Sequence, residues 1–140
     1  MPAQDKFLDA VLNALIKEGW TITATEVRLP FDATNTYVDV LAEKTIMAER
    51  EGRKIAVEVK TFGGKSVMAE LEKALGQFLI YRTGLLLAGM EHELYLAAPA
   101  DMQDFFKQPA ISRLRQDCAI KLFIYDPQKE EIIEWIEPTN

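Results

Sequence analysis

Residues 54–60, Lys-Ile-Ala-Val-Glu-Val-Lys, constrain the fold of this chain strongly. Successive side chains of a β-strand point to opposite faces, and this segment alternates in that manner. One face is apolar and can be buried; it consists of Ile55, Val57 and Val59. Glu58 and Lys60 leave the other face together, roughly 6.6 Å apart along the strand. The segment therefore predicts a buried strand that carries a carboxylate and an ammonium side by side.

A second apolar segment, residues 37–41, has Asp39 at its centre. It predicts another strand, which can bring a second carboxylate beside Glu58. Mg²⁺ prefers oxygen ligands, usually one or two carboxylates, with water and substrate phosphate completing its shell. The metal lowers the pKa of a bound water, and a nearby lysine can orient that water and stabilise transition-state charge. Asp39, Glu58 and Lys60 thus supply the minimum set for cleavage of a phosphodiester with Mg²⁺ or Mn²⁺.

A helix is predicted downstream, over residues 66–82. The spacings of three and four give it a polar side made of Glu70, Lys73, Gln77 and Tyr81. The opposite side is predicted to enter the core with Met68, Leu71, Leu75, Phe78 and Leu79. Gln77 has two interpretations that stay open, a role in the site or a place in a polar network on the helix surface. Tyr81 is an auxiliary site candidate for which packing is the favoured interpretation.

The Glu-x-Lys triplet is weak evidence by itself. With 14 Glu and 10 Lys in 140 residues, chance gives about one such triplet, and one occurs. The competing interpretation is an exposed ion pair at a strand end, which contributes little to stability. The apolar flanks favour a site, because they predict a central strand. A fold that has kept these residues without catalysis is a third interpretation.

These residues resemble a known nuclease core. Asp39, Glu58-x-Lys60 and Gln77-x-x-x-Tyr81 look like the PD-(D/E)xK motif of restriction-endonuclease-like nucleases, and the helix is similar to that of the RecB-type and resolvase branches. The resemblance implies that the two acidic residues bind Mg²⁺ together with the carbonyl of the residue between Glu and Lys. It also implies that the lysine acts on the attacking water and that the glutamine lies near the metal.

Two details of that resemblance concern other positions. The carbonyl that would join the metal site belongs to Val59. Members of the family often carry a further acidic residue on the first helix, for which Asp9 is the best placed candidate, ahead of Asp5 and Glu18. The residue before Asp39 is Val where the family motif has Pro.

A closer resemblance covers nearly the whole chain. The segments that carry it are residues 1–5, 13–23, 39–44, 54–60, 71–77 and 95–99. They are similar to the XisH-type fdxN element excision controlling factors of cyanobacteria, which are named for a programmed DNA excision during heterocyst development and assist a separate site-specific recombinase. The resemblance implies an accessory role in DNA excision, together with a small protein partner encoded nearby and a recombinase. Two functions stay open: a nuclease-like site that acts on DNA phosphodiesters, and a catalytically silent scaffold that regulates the recombinase through protein contacts.

Composition limits the class of protein. A chain of 140 residues has the length of one domain, so we expect residues 1–140 to form a single endonuclease-like domain. Cys118 is the sole cysteine, which excludes an intramolecular disulfide and a cysteine-rich zinc site.

No signal peptide and no apolar run of membrane-spanning length are evident, so a cytoplasmic protein without membrane contact is expected. The net charge of −6 predicts weak DNA affinity for the isolated chain. Whether the chain forms a homodimer stays open.

The predicted architecture is an α/β fold with a restriction-endonuclease-like core, in which a mixed central sheet is flanked by helices in the order αβββαβαββ. Residues 44–51 either extend the second strand or form a short helix. The remaining predicted elements are a helix over 4–18, a strand over 20–29, a strand over 93–98, one or two short helices over 101–115, and a hairpin of 119–125 with 131–136.

Overall fold

The computed structural model describes residues 6–33 and 36–139, without the side chains of residues 30 and 32–44. The helices are α1 (Lys6–Lys17), α2 (Val67–Leu87), α3 (Gln103–Lys107) and α4 (Pro109–Asp117), with a 3₁₀ turn at Ala100–Met102 before α3. The strands are β1 (Thr21–Ala33), β2 (Thr36–Arg50), β3 (Arg53–Val59), β4 (Glu93–Pro99), β5 (Lys121–Asp126) and β6 (Glu131–Ile136).

The six strands form one sheet in the order β1-β2-β3-β4-β5-β6. β1, β2 and β3 are consecutive antiparallel neighbours, and β6 returns antiparallel to β5. β3, β4 and β5 run parallel, so each step between them needs a crossover, which α2 supplies first and α3 with α4 supply second. The prediction of an α/β fold with a mixed sheet flanked by helices is therefore confirmed.

Each face of the sheet is covered by different helices. One face packs on α1 and includes Ile55, Val57, Val59, Tyr95, Ala97, Phe123 and Tyr125. The other face packs on α2, α3 and α4 and includes Met47, Ala56, Leu94, Leu96, Ala98, Leu122 and Ile124. Because strand side chains alternate, Glu58 and Lys60 share the face of Ala56. They therefore point towards α2, which is the crossover helix that follows their own strand.

Helix α2 starts as predicted and continues beyond the predicted end. Ser66 caps its N-terminus, where the hydroxyl accepts a hydrogen bond of 3.2 Å from the backbone N–H of Ala69. The helix passes through Gly84 and ends before Gly89, whose φ is +69°. A Cβ at Gly84 would lie 2.9 Å from Cβ of Leu29, so glycine lets α2 approach β1 closely at this point.

The predicted sides of α2 need one correction. Its buried residues are Leu71, Ala74, Phe78, Tyr81, Gly84 and Leu85. Tyr81 lies in the core, which agrees with its favoured interpretation as packing and corrects its assignment to the polar side. Met68 and Leu79 are exposed, contrary to the prediction. The reason is that Gln77 itself faces the sheet, so the polar residues near Lys60 and the core residues occupy the same side of the helix.

The other open choices are settled by the structure. Residues 44–51 lie in β2 and the turn after it, so they extend the strand rather than form a helix. The predicted interruption at Pro109 separates α3 from α4, and this proline starts α4, a position at which its fixed φ is suitable. β5 and β6 form the predicted hairpin, in which the Asp126 carboxylate accepts hydrogen bonds from the backbone N–H groups of Gln128 and Lys129 at 2.9 and 3.0 Å. Within the described ranges, no helix has the length and apolar character needed to cross a bilayer.

Candidate functional site

Glu58 is a buried carboxylate on a central strand. It lies near the end of β3, between β2 and β4, and its exposed fraction is 2%. Within the described part of the chain, neither carboxylate oxygen has a hydrogen-bond partner. Burial raises the pKa of Glu58 to about 7, against the opposing effect of the Lys60 ammonium. This carboxyl group can therefore gain or lose a proton near neutral pH.

Lys60 connects Glu58 to helix α2. Its Nζ lies 3.5 Å from Oε1 of Glu58, an ion-pair distance, and it donates a hydrogen bond to Oε1 of Gln77. The backbone of Lys60 is held as well, because its N–H donates to the carbonyl of Ala97 at 3.0 Å and its carbonyl accepts from the Tyr125 hydroxyl at 3.1 Å. The structure thus brings three predicted site residues into one continuous polar cluster at the ends of the parallel strands.

Thr45 belongs to the same cluster, and sequence reasoning did not include it. It is paired directly with Glu58 across β2 and β3, so the two side chains share a face. Thr45 is 3% exposed, and its hydroxyl has no hydrogen-bond partner among the described residues. Residues Glu51 and Gly52 form the two-residue turn between these strands, both with positive φ. That turn fixes the register of β2 with β3. Gly52 in the sequence could have indicated such a two-residue turn, and counting back from it would have paired Thr45 with Glu58.

Asp39 lies elsewhere along β2. Its backbone is paired with Pro30 of β1, six residues before Thr45, and its side chain lies outside the described residues. The strand register therefore sets Thr45, not Asp39, opposite Glu58. The pairing of β1 with β2 is shifted between Ala42 and Ile46, and such irregularities bend a strand. A metal-binding role for Asp39 stays a prediction.

The two auxiliary candidates have separate locations. Asp9 is on α1, which covers the sheet face opposite to Glu58, and it lines a cavity of about 540 Å³ beside Gln128 and Glu130. The structure does not bring Asp9 to the cluster of Glu58. Tyr81 is on α2, one turn after Gln77, and it is packed in the core. Val59 has its side chain buried on the α1 face, so only its backbone is available for the site.

The turn that leaves this cluster has a strained backbone. Phe62, two residues after Lys60, has a φ of +55°, a region that bulky side chains rarely adopt. Its ring packs edge-to-face on Phe106, with 5.6 Å between the ring centroids. Strained residues of this kind are found preferentially at functional sites.

The donor atoms fit a hard cation in part. Glu58 provides two buried oxygens without hydrogen-bond partners among the described residues, and Thr45 provides a third; oxygen atoms of these types suit Mg²⁺ or Mn²⁺. Among the described side chains, no group of three or more His, Cys, Asp or Glu residues could hold a metal ion. A cation at this cluster would therefore take one described carboxylate, and water or undescribed groups would fill the rest of its shell.

Comparison with known proteins identifies the family. The family model described as XisH protein matches residues 1–133. The chain belongs to the XisH family. It is similar to the crystal structure of an XisH family protein from Nostoc punctiforme PCC 73102, with 38% identity, a TM-score of 0.82 and coverage of 95% of this chain and 100% of that one. It is also similar to an fdxN element excision controlling factor protein from Anabaena variabilis, with 35% identity, a TM-score of 0.82 and coverage of 96% and 100%. The search of curated proteins gives no match.

The XisH resemblance predicted from the sequence is thereby confirmed. Both similar structures are covered over their full length, so the sheet and helices that position Glu58, Lys60 and Gln77 belong to the common fold.

Proposed function

We propose that this XisH family member is an accessory factor in programmed, site-specific DNA excision, and that Glu58, Lys60 and Gln77 form a Mg²⁺-dependent or Mn²⁺-dependent site that acts on DNA phosphodiesters. The description of the similar Anabaena variabilis protein as an fdxN element excision controlling factor supports the first part. The buried carboxylate of Glu58, which lies beside Lys60 on a central strand and has no hydrogen-bond partner among the described residues, is the observation that supports the second.

The absence of hydrogen bonds to Glu58 within the described residues has a free-energy cost. A buried polar group without a hydrogen bond costs about 1–3 kcal/mol, and a charged one more. A structural ion pair in a core is stable only when its geometry is good and the remaining oxygens are hydrogen-bonded. Glu58 lacks those hydrogen bonds within the described residues, so this cluster is better explained as a site than as a structural support.

The residues then have distinct roles. Glu58 holds the cation, together with the carbonyl of Val59 and, as a further prediction, the carboxylate of Asp39. When bound, the metal lowers the pKa of a water and neutralises charge on the phosphate oxygens. Lys60 orients the attacking water and stabilises the developing negative charge. Gln77 accepts a hydrogen bond from Lys60 and so keeps the ammonium directed into the site.

Membership of the PD-(D/E)xK nucleases is part of this proposal. Three features support it: an antiparallel β1-β2-β3 unit, the crossover through α2 to a parallel β4, and Glu58-x-Lys60 at the end of β3 facing Gln77 of that crossover helix.

A catalytically silent scaffold is the second candidate. It would regulate a recombinase through protein contacts, with a small protein partner encoded nearby. The net charge of −6 favours it, because a protein that holds DNA by itself usually presents a basic face. On either reading we expect weak DNA binding by the isolated chain, and gel-shift binding tighter than about micromolar at physiological salt would contradict this expectation.

Cleavage assays distinguish the two candidates. The pure protein is incubated with Mg²⁺ or Mn²⁺ and with supercoiled, single-stranded and branched DNA, beside Lys60→Ala and the control Lys73→Ala. Lys73 is an exposed lysine of α2, so its loss should change only surface charge. Metal-dependent cutting that disappears in Lys60→Ala and persists in Lys73→Ala would support the nuclease site. If wild type does not cut, or if Lys60→Ala cuts equally well, the scaffold is favoured.

Metal binding is measured separately by calorimetry with Mn²⁺. Glu58→Gln and Asp39→Ala are both expected to lose affinity, and Glu70→Gln on α2 serves as the acidic control. Unchanged Mn²⁺ affinity in Glu58→Gln would overturn the metal assignment, and unchanged affinity in Asp39→Ala alone would remove only Asp39 from the site.

A further inference from the structure

Large apolar side chains are exposed to solvent along one flank of α2. Met68, Leu79 and Leu86 have exposed fractions of 50%, 39% and 74%. Contiguous apolar surface marks interaction sites, whereas single exposed apolar residues are common, so the spacing of these three residues decides. These residues belong to a seam in which spacings of four and three alternate as in a coiled coil: Met68, Glu72, Leu75, Leu79, Arg82 and Leu86. We call these six residues the α2 seam.

The α2 seam is self-complementary about its midpoint, residue 77. Met68 and Leu86 lie nine residues on either side of it, Glu72 and Arg82 lie five, and Leu75 and Leu79 lie two. Each apolar residue thus has an apolar counterpart, and the acidic residue has a basic one. A two-fold interface requires this kind of pattern, since each patch must fit its own copy.

We propose that a second copy of this chain docks on the α2 seam, with the two α2 helices antiparallel. Leu75 of each copy then packs on Leu79 of the other, and Met68 packs on Leu86. Glu72 of each copy faces Arg82 of the other, which places an ion pair in each half of the interface. A parallel arrangement would set Glu72 against Glu72 and Arg82 against Arg82, so charge selects the antiparallel orientation.

Arg82 is held in position for this contact. Its Nη1 donates to the carbonyls of Cys118 and Ala119 at 2.9 and 3.2 Å, and its guanidinium lies over the Phe78 ring, 5.6 Å from the centroid. A guanidinium carries five N–H donors, so donors remain for a carboxylate of the second copy. Less side-chain entropy is then lost when Glu72 of that copy binds.

The proposed interface leaves the candidate site accessible. Gln77 contacts Lys60 on the sheet side of α2. At about 100° per residue, the seam residues lie roughly 140–180° from Gln77 around the helix, although Leu75 is partly buried and also packs on the core. The dimer can therefore form whether or not the cluster of Glu58 is catalytic, and the two proposals are tested separately.

Sedimentation velocity over about a hundredfold concentration range tests the dimer. Leu79→Glu is expected to raise the dimer dissociation constant at least about tenfold, because it places a charge at the centre of the seam in both copies. Ile133→Glu is the matched control, since Ile133 is a similarly exposed apolar residue on β6, and it should leave the constant unchanged. Circular dichroism verifies that both variants are folded. A wild-type chain that stays monomeric, or a Leu79→Glu chain that dimerises like wild type, would overturn the proposal.

Disulfide trapping tests the orientation. In a Cys118→Ser background, Met68→Cys chains are mixed with Leu86→Cys chains under mild oxidation. The antiparallel dimer predicts crosslinking in the mixture and little in either variant alone. Crosslinking of each variant with itself would indicate a parallel pair and would refute the proposed arrangement.

Discussion

Thr45 and Glu58 are directly opposite each other on neighbouring antiparallel strands, and both polar side chains are buried without a hydrogen-bond partner among the described residues. Two such groups on one face of a sheet concentrate a large desolvation cost at one place. The Lys60 ammonium, 3.5 Å from Glu58, offsets that cost in part. The pair therefore marks the position at which a bound cation or water would relieve most of this desolvation cost.

The stability of the protein should fall as pH rises through the range in which Glu58 titrates. Its folded-state pKa is raised from an ordinary 4.5 to about 7, so the folded protein binds one more proton than the unfolded chain between these values. Under that condition the free energy of unfolding decreases with pH, by about 3 kcal/mol over the whole range. Urea unfolding of wild type and Glu58→Gln at several pH values between 4.5 and about 7 measures this decrease in the free energy of unfolding. The Gln variant should lack this part of the slope, and equal slopes in the two proteins would contradict the buried ionisable carboxyl.

Thr45→Val should stabilise the metal-free protein by about 1 kcal/mol. Valine has nearly the shape of threonine, and the change removes a buried hydroxyl that has no described partner. Thr45→Ser is the control, because it keeps the hydroxyl and loses only a methyl group. Urea unfolding without divalent cations gives both values. If Thr45→Val is clearly destabilised, the hydroxyl has a partner that the described residues do not supply.

Lys60→Met should raise the pKa of Glu58 above about 7. The variant keeps much of the side-chain volume and removes the ammonium that opposes the effect of burial. The pH at which stability declines should therefore move upward relative to wild type, and NMR titration of the Glu58 carboxyl carbon measures the same shift directly. Lys73→Met is the control and should leave the titration unchanged. A lowered or unaltered pKa in Lys60→Met would show that Lys60 does not act on Glu58.

Much of the fold could be predicted because its signals are local. The alternation of residues 54–60 indicated β3 and the side on which Glu58 and Lys60 lie, and the structure has both. The turn residues at 126–129 likewise indicated the hairpin of β5 and β6. Each of these patterns is complete within a few residues, so no knowledge of tertiary contacts was needed.

Which residues make up the candidate site was harder to predict, because it depends on contacts between segments that are distant in the sequence. Thr45 joins Glu58 only through the register of β2 with β3, which the positive φ values at Glu51 and Gly52 fix. Packing was the favoured interpretation of Tyr81, but the tyrosine was placed on the polar side of α2 because polar and apolar residues were assigned to opposite sides. In the structure, the cluster with Gln77 and the core occupy the same helix–sheet interface. An amphipathic pattern separates the apolar side of a helix from its polar side. It does not show whether a polar residue faces solvent or a buried polar site.

Two glycines of α2 should respond oppositely to the same substitution. At Gly84 an added Cβ would lie 2.9 Å from Cβ of Leu29, so Gly84→Ala must separate α2 from β1 and should cost about 1–3 kcal/mol. At Gly76 an added Cβ would meet nothing within 4 Å, so Gly76→Ala should stabilise the helix by about 0.5–1 kcal/mol. Thermal and urea unfolding of the two variants gives the comparison. Since both residues lie inside one helix, intrinsic helix propensity favours alanine equally at each position. A stabilised Gly84→Ala variant would therefore mean that α2 and β1 are not in close contact there.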